Sequence, residues 1–204
     1  RATGFIDVRR PPYSAAGDGQ TDDTAALQRA IDDWQGRHRV LYFPPGTYRL
    51  TGSLRFRPGQ GHGYNNILGA GRERTILRLD DNLFTSTESP QPVLSLGFNG
   101  QENGRGVHAD WFNNNVSDLS VDTGRGNPGA IGLQFYSNNV GSLRRVSIRS
   151  SDGRGAVGLN LAYADQNGPL LVQHVSVDGF DIGVLTGATV NSQTFEHVRI
   201  RGAK

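Results

Sequence analysis

The chain has 204 residues and a formal net charge of +2, with 21 basic and 19 acidic side chains. This length suits one domain with a sizeable core, and the weak net charge excludes a nucleic-acid binder that depends on a strong basic field. The absence of cysteine excludes disulfides, and no apolar run reaches the roughly 18 residues of a membrane span, so we expect no membrane partner.

The first 38 residues are predicted to form a cap region with one amphipathic helix at about 22–35. A turn rich in Thr and Asp at 17–24 precedes the helix and can supply acceptors for its free first-turn amides. The apolar residues of the helix recur at helical spacing and form one stripe, made of Ala26, Leu27, Ala30, Ile31 and Trp34. Short strands at 39–43 and 47–50 follow, on either side of a Pro-Pro-Gly turn.

Two interleaved series of short strands then return along the chain. The first series starts at Leu119, Val146, Val175 and Val198, and the second at Ala130, Ala156 and Asp181. Because the period is roughly 25 residues and no helix-length segment intervenes, the pattern predicts a solenoid in which each repeat is one coil. We therefore expect an all-β fold, a right-handed parallel β-helix of three-strand coils over 39–204, within a single domain that spans 1–204.

The two ends of this predicted solenoid differ. An open end exposes core side chains and an unpaired strand edge, and the helix at 22–35 is a suitable cover for the N-terminal end. At the other end, 195–200 has the form of another repeat strand and no second cap follows. We expect the remaining part of a longer protein, or another chain, to contact this uncapped C-terminal coil.

The segment 17–32, together with Leu-Tyr-Phe-Pro-Pro-Gly-Thr-Tyr at 41–48, resembles the opening of the pectate-lyase-like right-handed β-helix superfamily. Four repeat segments are most similar to the first β-helix of glycoside hydrolase family 55, namely those at 116–123, 130–133, 142–146 and 180–183. The resemblance implies a secreted or extracellular hydrolase that acts on β-1,3-glucan or a related polysaccharide and needs no cofactor. In family 55 a second β-helix supplies the catalytic carboxylate, so this chain alone is expected to be inactive.

Two other functions stay open at this point. A pectate or polysaccharide lyase that depends on calcium needs an aspartate cluster and a basic proton abstractor, and adjacent repeat positions supply neither, so we predict no metal site. A non-catalytic β-helix, of the phage-tail or surface-adhesin kind, would share the helix and the repeats while binding polysaccharide without turnover.

Residues between the apolar positions of the first strand series are predicted to face outward and to stack into three ladders. The ladders are Asp118, Arg145, His174 and His197; Ser120, Ser147, Ser176 and Arg199; and Asp122, Arg149, Asp178 and Arg201. Opposite charges on parallel neighbours stabilise a stack of coils. The alternative interpretation is a polar groove for a sugar chain.

The longest excursion between repeats is the segment 97–115, and long loops in solenoids are often functional. His108, Asp110 and Trp111 are the predicted substrate-binding residues, because an exposed Trp offers a sugar ring an apolar face. The alternative is that Trp111 packs against the solenoid.

The catalytic residues stay unassigned. Hydrolysis of a glycosidic bond needs two carboxyl groups at a defined separation, and several acids lie near predicted turns or strand ends. These candidates are Glu102, Asp110, Asp122, Asp152, Asp165 and Asp178. The triplet Gly61-His62-Gly63 resembles the Gly-His-Gly of polygalacturonases, but here it precedes the repeats and no paired aspartates stand before it.

Overall fold

A computed structural model describes residues 4–57, 63–97, 111–187 and 191–203 of the chain. Strands dominate these ranges, and every pair of neighbouring strands runs parallel. The elements are β1 (Phe5–Asp7), β2 (Asp18–Asp22), α1 (Thr24–Trp34), β3 (Val40–Phe43), β4 (Gly46–Leu50), β5 (Leu54–Phe56), β6 (Asn66–Gly69), β7 (Thr75–Leu79), β8 (Gln91–Leu96), β9 (Asn115–Asp122), β10 (Ala130–Phe135), β11 (Asn138–Arg149), β12 (Gly155–Leu161), β13 (Gly168–Gln173), β14 (Ser176–Asp178), β15 (Phe180–Thr186), β16 (Gln193–Glu196) and β17 (Arg199–Arg201).

The strands stack into three parallel faces around one core. Sheet I has the order β15-β12-β10-β8-β5, and sheet II has the order β1-β3-β6-β9-β11-β13-β16. Sheet III contains β2, β4, β7, the second halves of β9 and β11, β14 and β17. Each complete coil thus contributes one strand to each sheet, whereas α1 follows the two strands of the first coil. The predicted fold, an all-β right-handed parallel β-helix, is confirmed.

The corner between sheets II and III is built from residues in the left-handed backbone region. Asp118 (φ 60°) and Arg145 (φ 53°) bend β9 and β11, while His174 (φ 53°) and His197 (φ 52°) occupy the same corner in the next two coils. This column is the first predicted ladder. The Arg145 guanidinium donates to both carboxylate oxygens of Asp118, at 2.6 and 2.7 Å, and the two imidazole rings stack with centroids 4.7 Å apart.

The predicted register of the third ladder is also confirmed. Asp122 lies opposite Arg149, Arg149 opposite Asp178, and Asp178 opposite Arg201. Val121, Ile148 and Val177, which precede Asp122, Arg149 and Asp178, are core residues, so these three charged side chains lie on the outer side. In the last coil Ile200, which precedes Arg201, is itself exposed. Arg149 Nε donates to Asp122 Oδ2 at 2.9 Å. This ion pair supports the interpretation of the ladder as a stabilising stack.

The charged ladder is longer than the sequence repeats indicate. Arg78 lies opposite Asp122, Arg49 opposite Arg78, and Asp22 opposite Arg49. The like charges of Arg49 and Arg78 are each compensated from the turn after β7. Asp80 accepts from Arg49 at 2.6 Å, and Asp81 accepts from Arg78 at 3.1 Å.

Glycines at equivalent positions of β10, β12 and β15 leave room for inward side chains of sheet III. A Cβ added at each would come within a non-bonded clash distance of a methyl group: Gly132 with Ile148 at 2.2 Å, Gly158 with Val177 at 2.1 Å, and Gly183 with Ile200 at 2.4 Å. The glycine of the second repeat series is therefore required for packing. At this position one β-branched side chain from sheet III fills the space between sheets I and III.

The parallel strands begin earlier than we predicted. β1 pairs with β3, and β2 pairs with β4, so the segment 1–38 already contributes a coil to the solenoid and the boundary at residue 39 is wrong. β2 occupies most of the turn predicted at 17–24. Asp23, at the N-cap of α1, makes no side-chain hydrogen bond to the helix; its carboxylate accepts from the backbone N–H groups of Ala16 (2.6 Å) and Gly17 (2.9 Å).

The helix α1 packs its buried Leu27, Ala30 and Ile31 into the core and contacts β5 and β3. Gln28 in α1 and Gln35 directly after it form hydrogen bonds with the backbone at the free edge of β5, the outermost strand of sheet I. Gln28 accepts from Arg55 N (2.9 Å) and donates to Arg55 O (2.8 Å). Gln35 makes the same two hydrogen bonds with Arg57, each 3.0 Å long. The amides thus occupy the place of a neighbouring strand, and the role of the helix as a cover for this end stays a prediction.

Candidate functional site

The chain segments that follow the strands of sheet I come together along one side of the solenoid. We call this surface the loop edge and define it as the described residues among 97–114, 136–141, 162–169 and 187–192. Because the strands of sheet I are parallel, their carboxyl ends all meet this side, and the segments stack from coil to coil. Loops that connect the strands of a rigid scaffold are where variable, functional residues are expected.

A column of polar side chains on sheet I leads to the loop edge. Ser95 lies opposite Gln134, and Gln134 lies opposite Asn160. Gln134 Nε2 donates to Ser95 Oγ (2.9 Å) and to Gly97 O (2.9 Å), and Asn160 Nδ2 donates to Gln134 Oε1 at 3.3 Å. Ser95 and Asn160 are buried and Gln134 is half-buried. The column therefore ties the ends of the strands to the first residues of the loops.

Beneath the loop edge, buried amides fix the path of the chain between sheets I and II. Asn114 Nδ2 donates to Tyr136 O (2.9 Å), and Asn65 Nδ2 donates to Asn114 Oδ1 (3.0 Å). One coil further on, Asn167 Oδ1 accepts from Ser137 N (2.8 Å). A buried backbone group without a partner is costly, so these side chains specify the corners between the two sheets.

Two tyrosine rings stack in the same region. The centroids of Tyr136 and Tyr163 lie 4.6 Å apart at 24°, and both residues are buried. Burial raises the pKa of the Tyr136 hydroxyl well above its ordinary value. At neutral pH this phenol is a hydrogen-bond donor and not a base.

The structure places Trp111 differently from the sugar-stacking expectation. The residue is 3% exposed and belongs to the hydrophobic core cluster, so its ring offers no free face to a ligand. The exposed ring that the stacking prediction assumes is therefore not found, and Trp111 lies where the alternative, packing against the solenoid, places it. The apolar ring gains more from burial than from exposure on the edge. His108 and Asp110 lie outside the described residues, as do Glu102 and His62.

The candidate catalytic acids in the described part of the chain lie in different parts of the fold. Asp122 is 2% exposed, and besides Arg149 its carboxylate accepts from Gly124 N (2.9 Å) and Ser151 Oγ (2.8 Å). Asp152 accepts from Gly126 N (2.7 Å) in a turn, and Asp178 is a rung of the charged ladder. Asp165 alone among the described candidates lies on the loop edge, where it accepts from Gln166 N at 2.7 Å.

Asp165, the one carboxylate among the described residues of the loop edge, is half-buried. The exposed polar residues of the edge all have uncharged side chains. They are Asn139, Gln166, Asn191 and Ser192. No Arg or Lys occurs among the described residues of this edge, and no group of three or more His, Asp or Glu in the described part of the chain is placed to hold a metal ion. Sequence reasoning missed these amides, although Asn-containing clusters recur after each strand of the second series.

Comparisons with known proteins agree with this architecture. Over 163 residues the chain is 30% identical to a glucan 1,3-beta-glucosidase of Cochliobolus carbonum, covering 78% of this chain and 18% of that protein. Over 184 residues it is 27% identical to the mannuronan C5-epimerase AlgE1 of Azotobacter vinelandii, covering 86% of this chain and 12% of that protein. The solved A-module of the Azotobacter vinelandii mannuronan C-5 epimerase AlgE4 matches with a TM-score of 0.61 and 20% identity, over 95% of this chain and 50% of that chain.

The chain therefore spans less than a fifth of the length of the two relatives compared by sequence. Within the ranges that the structure describes, no helix has the length and hydropathy needed to cross a bilayer. Residues 5–203 match the family model described as rhamnogalacturonase A/epimerase, pectate lyase-like. The resemblance seen in the sequence is confirmed, and the chain belongs to this pectate-lyase-like family.

Proposed function

We propose that this chain is the N-terminal β-helix portion of a secreted carbohydrate-active enzyme, and that a neutral polysaccharide lies across the loop edge. The most specific form of the proposal is a glycoside hydrolase that acts on β-1,3-glucan or a related polysaccharide. The observation that carries it is the composition of the edge, where the exposed polar side chains are amides and a hydroxyl.

The chemistry of the edge favours a neutral sugar over a charged one. Sugar hydroxyls donate and accept hydrogen bonds, and Asn and Gln side chains can do both. A polyuronate carries one carboxylate per residue and is normally held by Arg or Lys through charge-assisted hydrogen bonds. The described part of the edge has no such cation and one carboxylate, Asp165, which would repel a polyanion.

Asp165 is the described residue best placed to act on a bound glycan. Hydrolysis needs a second carboxyl group, either about 5–5.5 Å away for retention or about 6.5–9.5 Å away for inversion. The described part of the loop edge supplies no second acid. Because the resemblance to family 55 assigns the catalytic carboxylate to a second β-helix, we propose that the chain alone gives no turnover. His108 and Asp110 stay proposed substrate contacts in the same segment.

A polyuronate epimerase is the second candidate, because of the similarity to the mannuronan epimerases. A lyase or a non-catalytic polysaccharide-binding β-helix would use the same fold. The longer protein should be incubated separately with laminarin, mannuronan and polygalacturonate. Release of reducing sugar from laminarin supports the hydrolase, a change in the guluronate content of mannuronan supports the epimerase, and an unsaturated product absorbing in the ultraviolet supports the lyase.

Asp165→Asn is the matched variant for this experiment, because it keeps the size of the side chain and removes the charge. We expect it to reduce the rate on laminarin at least about 100-fold if the carboxylate acts in proton transfer. Asp178→Asn, on the charged ladder, serves as the control. Binding of laminarin without turnover would favour the adhesin, and no binding to any β-glucan would overturn the proposal.

A further inference from the structure

The loop edge contains one local irregularity that has two unfavourable features, one at Asn138 and one at Val140. β11 and β13 change register between Asn138 and Gly141, so Asn139 and Val140 lie opposite the single residue Pro169. We call Asn138–Gly141 the bulge. Gly141 is required there because a Cβ would lie 2.1 Å from Ser137 Oγ.

Val140 has a backbone φ of 74°, in the left-handed region. A β-branched residue is a real outlier in this region, because its side chain crowds the backbone, whereas Asn and Gly adopt the region readily. Asn139, with φ of 49°, fits that rule and Val140 does not. The side chain of Val140 is 72% exposed, so burial of its methyl groups in the core does not compensate for the strain.

Asn138 is unfavourable for an independent reason. The residue is 4% exposed, its Nδ2 donates to Gln166 O, and its buried Oδ1 has no hydrogen-bond partner among the described residues. On the next coil Gln193 repeats the arrangement, because its Nε2 donates to Asn167 O at 3.0 Å while its buried Oε1 has no partner in the described part of the chain. The two amides thus hold the consecutive carbonyl groups of Gln166 and Asn167 from either side.

These amides fix the turn that carries the exposed Pro169 next to Val140. On the other side of the bulge, Phe112 pairs with Asn138 and is half-buried. Phe112, Val140 and Pro169 therefore come from three successive coils of the loop edge, and we call these three residues the strip. The strip is bordered by the exposed amides of Asn139 and Asn191.

We infer that this strip is a subsite of the loop edge that binds a neutral sugar ring, with Val140 as a binding residue held in a strained conformation for contact with the ring. The C–H face of a pyranose is apolar and its rim is hydroxylated, which matches apolar side chains bordered by uncharged amides. Strain that persists at an exposed position, with no packing in return, points to a functional constraint. The inference rests on the proposed function, since it assumes that a glycan occupies the loop edge.

The test compares Val140→Asn and Val140→Gly with the wild type in the full chain. Both variants suit a positive φ, so we expect the melting temperature to rise by about 2–4 °C. Because they remove the methyl groups from the strip, we expect the affinity for laminarin oligosaccharides, measured by titration calorimetry, to fall about five- to tenfold. Leu83→Asn is the control, since Leu83 is 42% exposed and lies in the turn after β7, away from the edge.

Each outcome is decisive. A higher melting temperature with unchanged affinity would overturn the subsite, and a lower melting temperature would overturn the strain on which it rests. A fall in affinity for Leu83→Asn equal to that of the Val140 variants would also count against it. If the wild type binds no neutral glycan, the proposed function fails, and the inference fails with it; that outcome is distinguishable because it appears before any substitution is made.

Discussion

The pairing of helix glutamines with the edge of β5 makes the most direct prediction about stability. Replacing Gln28 and Gln35 by Met keeps side-chain length and volume but removes four hydrogen bonds to the backbone of Arg55 and Arg57. A hydrogen bond in a folded protein contributes about 0.5–1.5 kcal/mol net, so each substitution should cost about 2 kcal/mol and the double variant about 4 kcal/mol.

For a chain of this size, about 1 kcal/mol corresponds to about 2–4 °C in the midpoint of thermal unfolding. We therefore expect the double variant to melt about 8–16 °C lower, with faster hydrogen exchange at the amides of Arg55 and Arg57. Gln20→Met is the control, because Gln20 is exposed and its side chain makes no described hydrogen bond. If the double variant loses no more stability than this control, the amides do not stabilise the strand edge and the argument is wrong.

Three further predictions concern the stack of coils. Gly158→Ala should lower the free energy of unfolding by about 1–3 kcal/mol in urea titrations, and adding Val177→Ala should recover part of the loss because the clashing methyl group is removed. Arg149→Met should cost about 1–3 kcal/mol, more than Arg145→Met, since the Asp122 side chain is 3% exposed and that of Asp118 is 22% exposed. The hydrogen bonds from Arg145 lower the pKa of Asp118, so the carboxylate stabilises the fold above its unfolded pKa of about 3.9 and this contribution is lost as the pH falls through the lower folded value. Acid titration should therefore show a steeper loss of stability for the wild type than for Asp118→Asn, and equal slopes would contradict the assignment.

The repeated part of the fold could be predicted from the sequence because two independent patterns agree there. Alternation along a strand fixes which side chains face outward, and the repeat fixes which residues become neighbours on successive coils. Together they specify contacts between residues far apart in sequence, such as Asp122 with Arg149. The first coil escaped prediction because β2 is exposed along its whole length, which leaves no alternation to detect.

The candidate site was less predictable, since its position depends on how connections stack and not on a motif. The sequence indicates that 97–115 is a long loop, but the direction in which Trp111 points is decided by tertiary packing. The amides at Asn139, Gln166 and Asn191 are distant in sequence and become one surface only when the coils are assembled. Glycine and asparagine in these segments predict turns, and turns alone do not identify a ligand.

The bulge shows where sequence reasoning must fail for a physical reason. Residue preferences assign left-handed positions to Gly, Asn or Asp, so no rule based on residue type would put Val140 at φ 74°. Glycine adopts a positive φ more readily than any other residue, but the glycine here, Gly141, stands one position after the strained Val140. Gly141 is needed instead because its backbone lies close to Ser137. Residue preferences and tertiary structure agree along most of a natural chain. The positions where they disagree are expected to be sites of binding or strain. On this argument, the departure at Val140 reflects contact with the sugar ring that we propose for the loop edge.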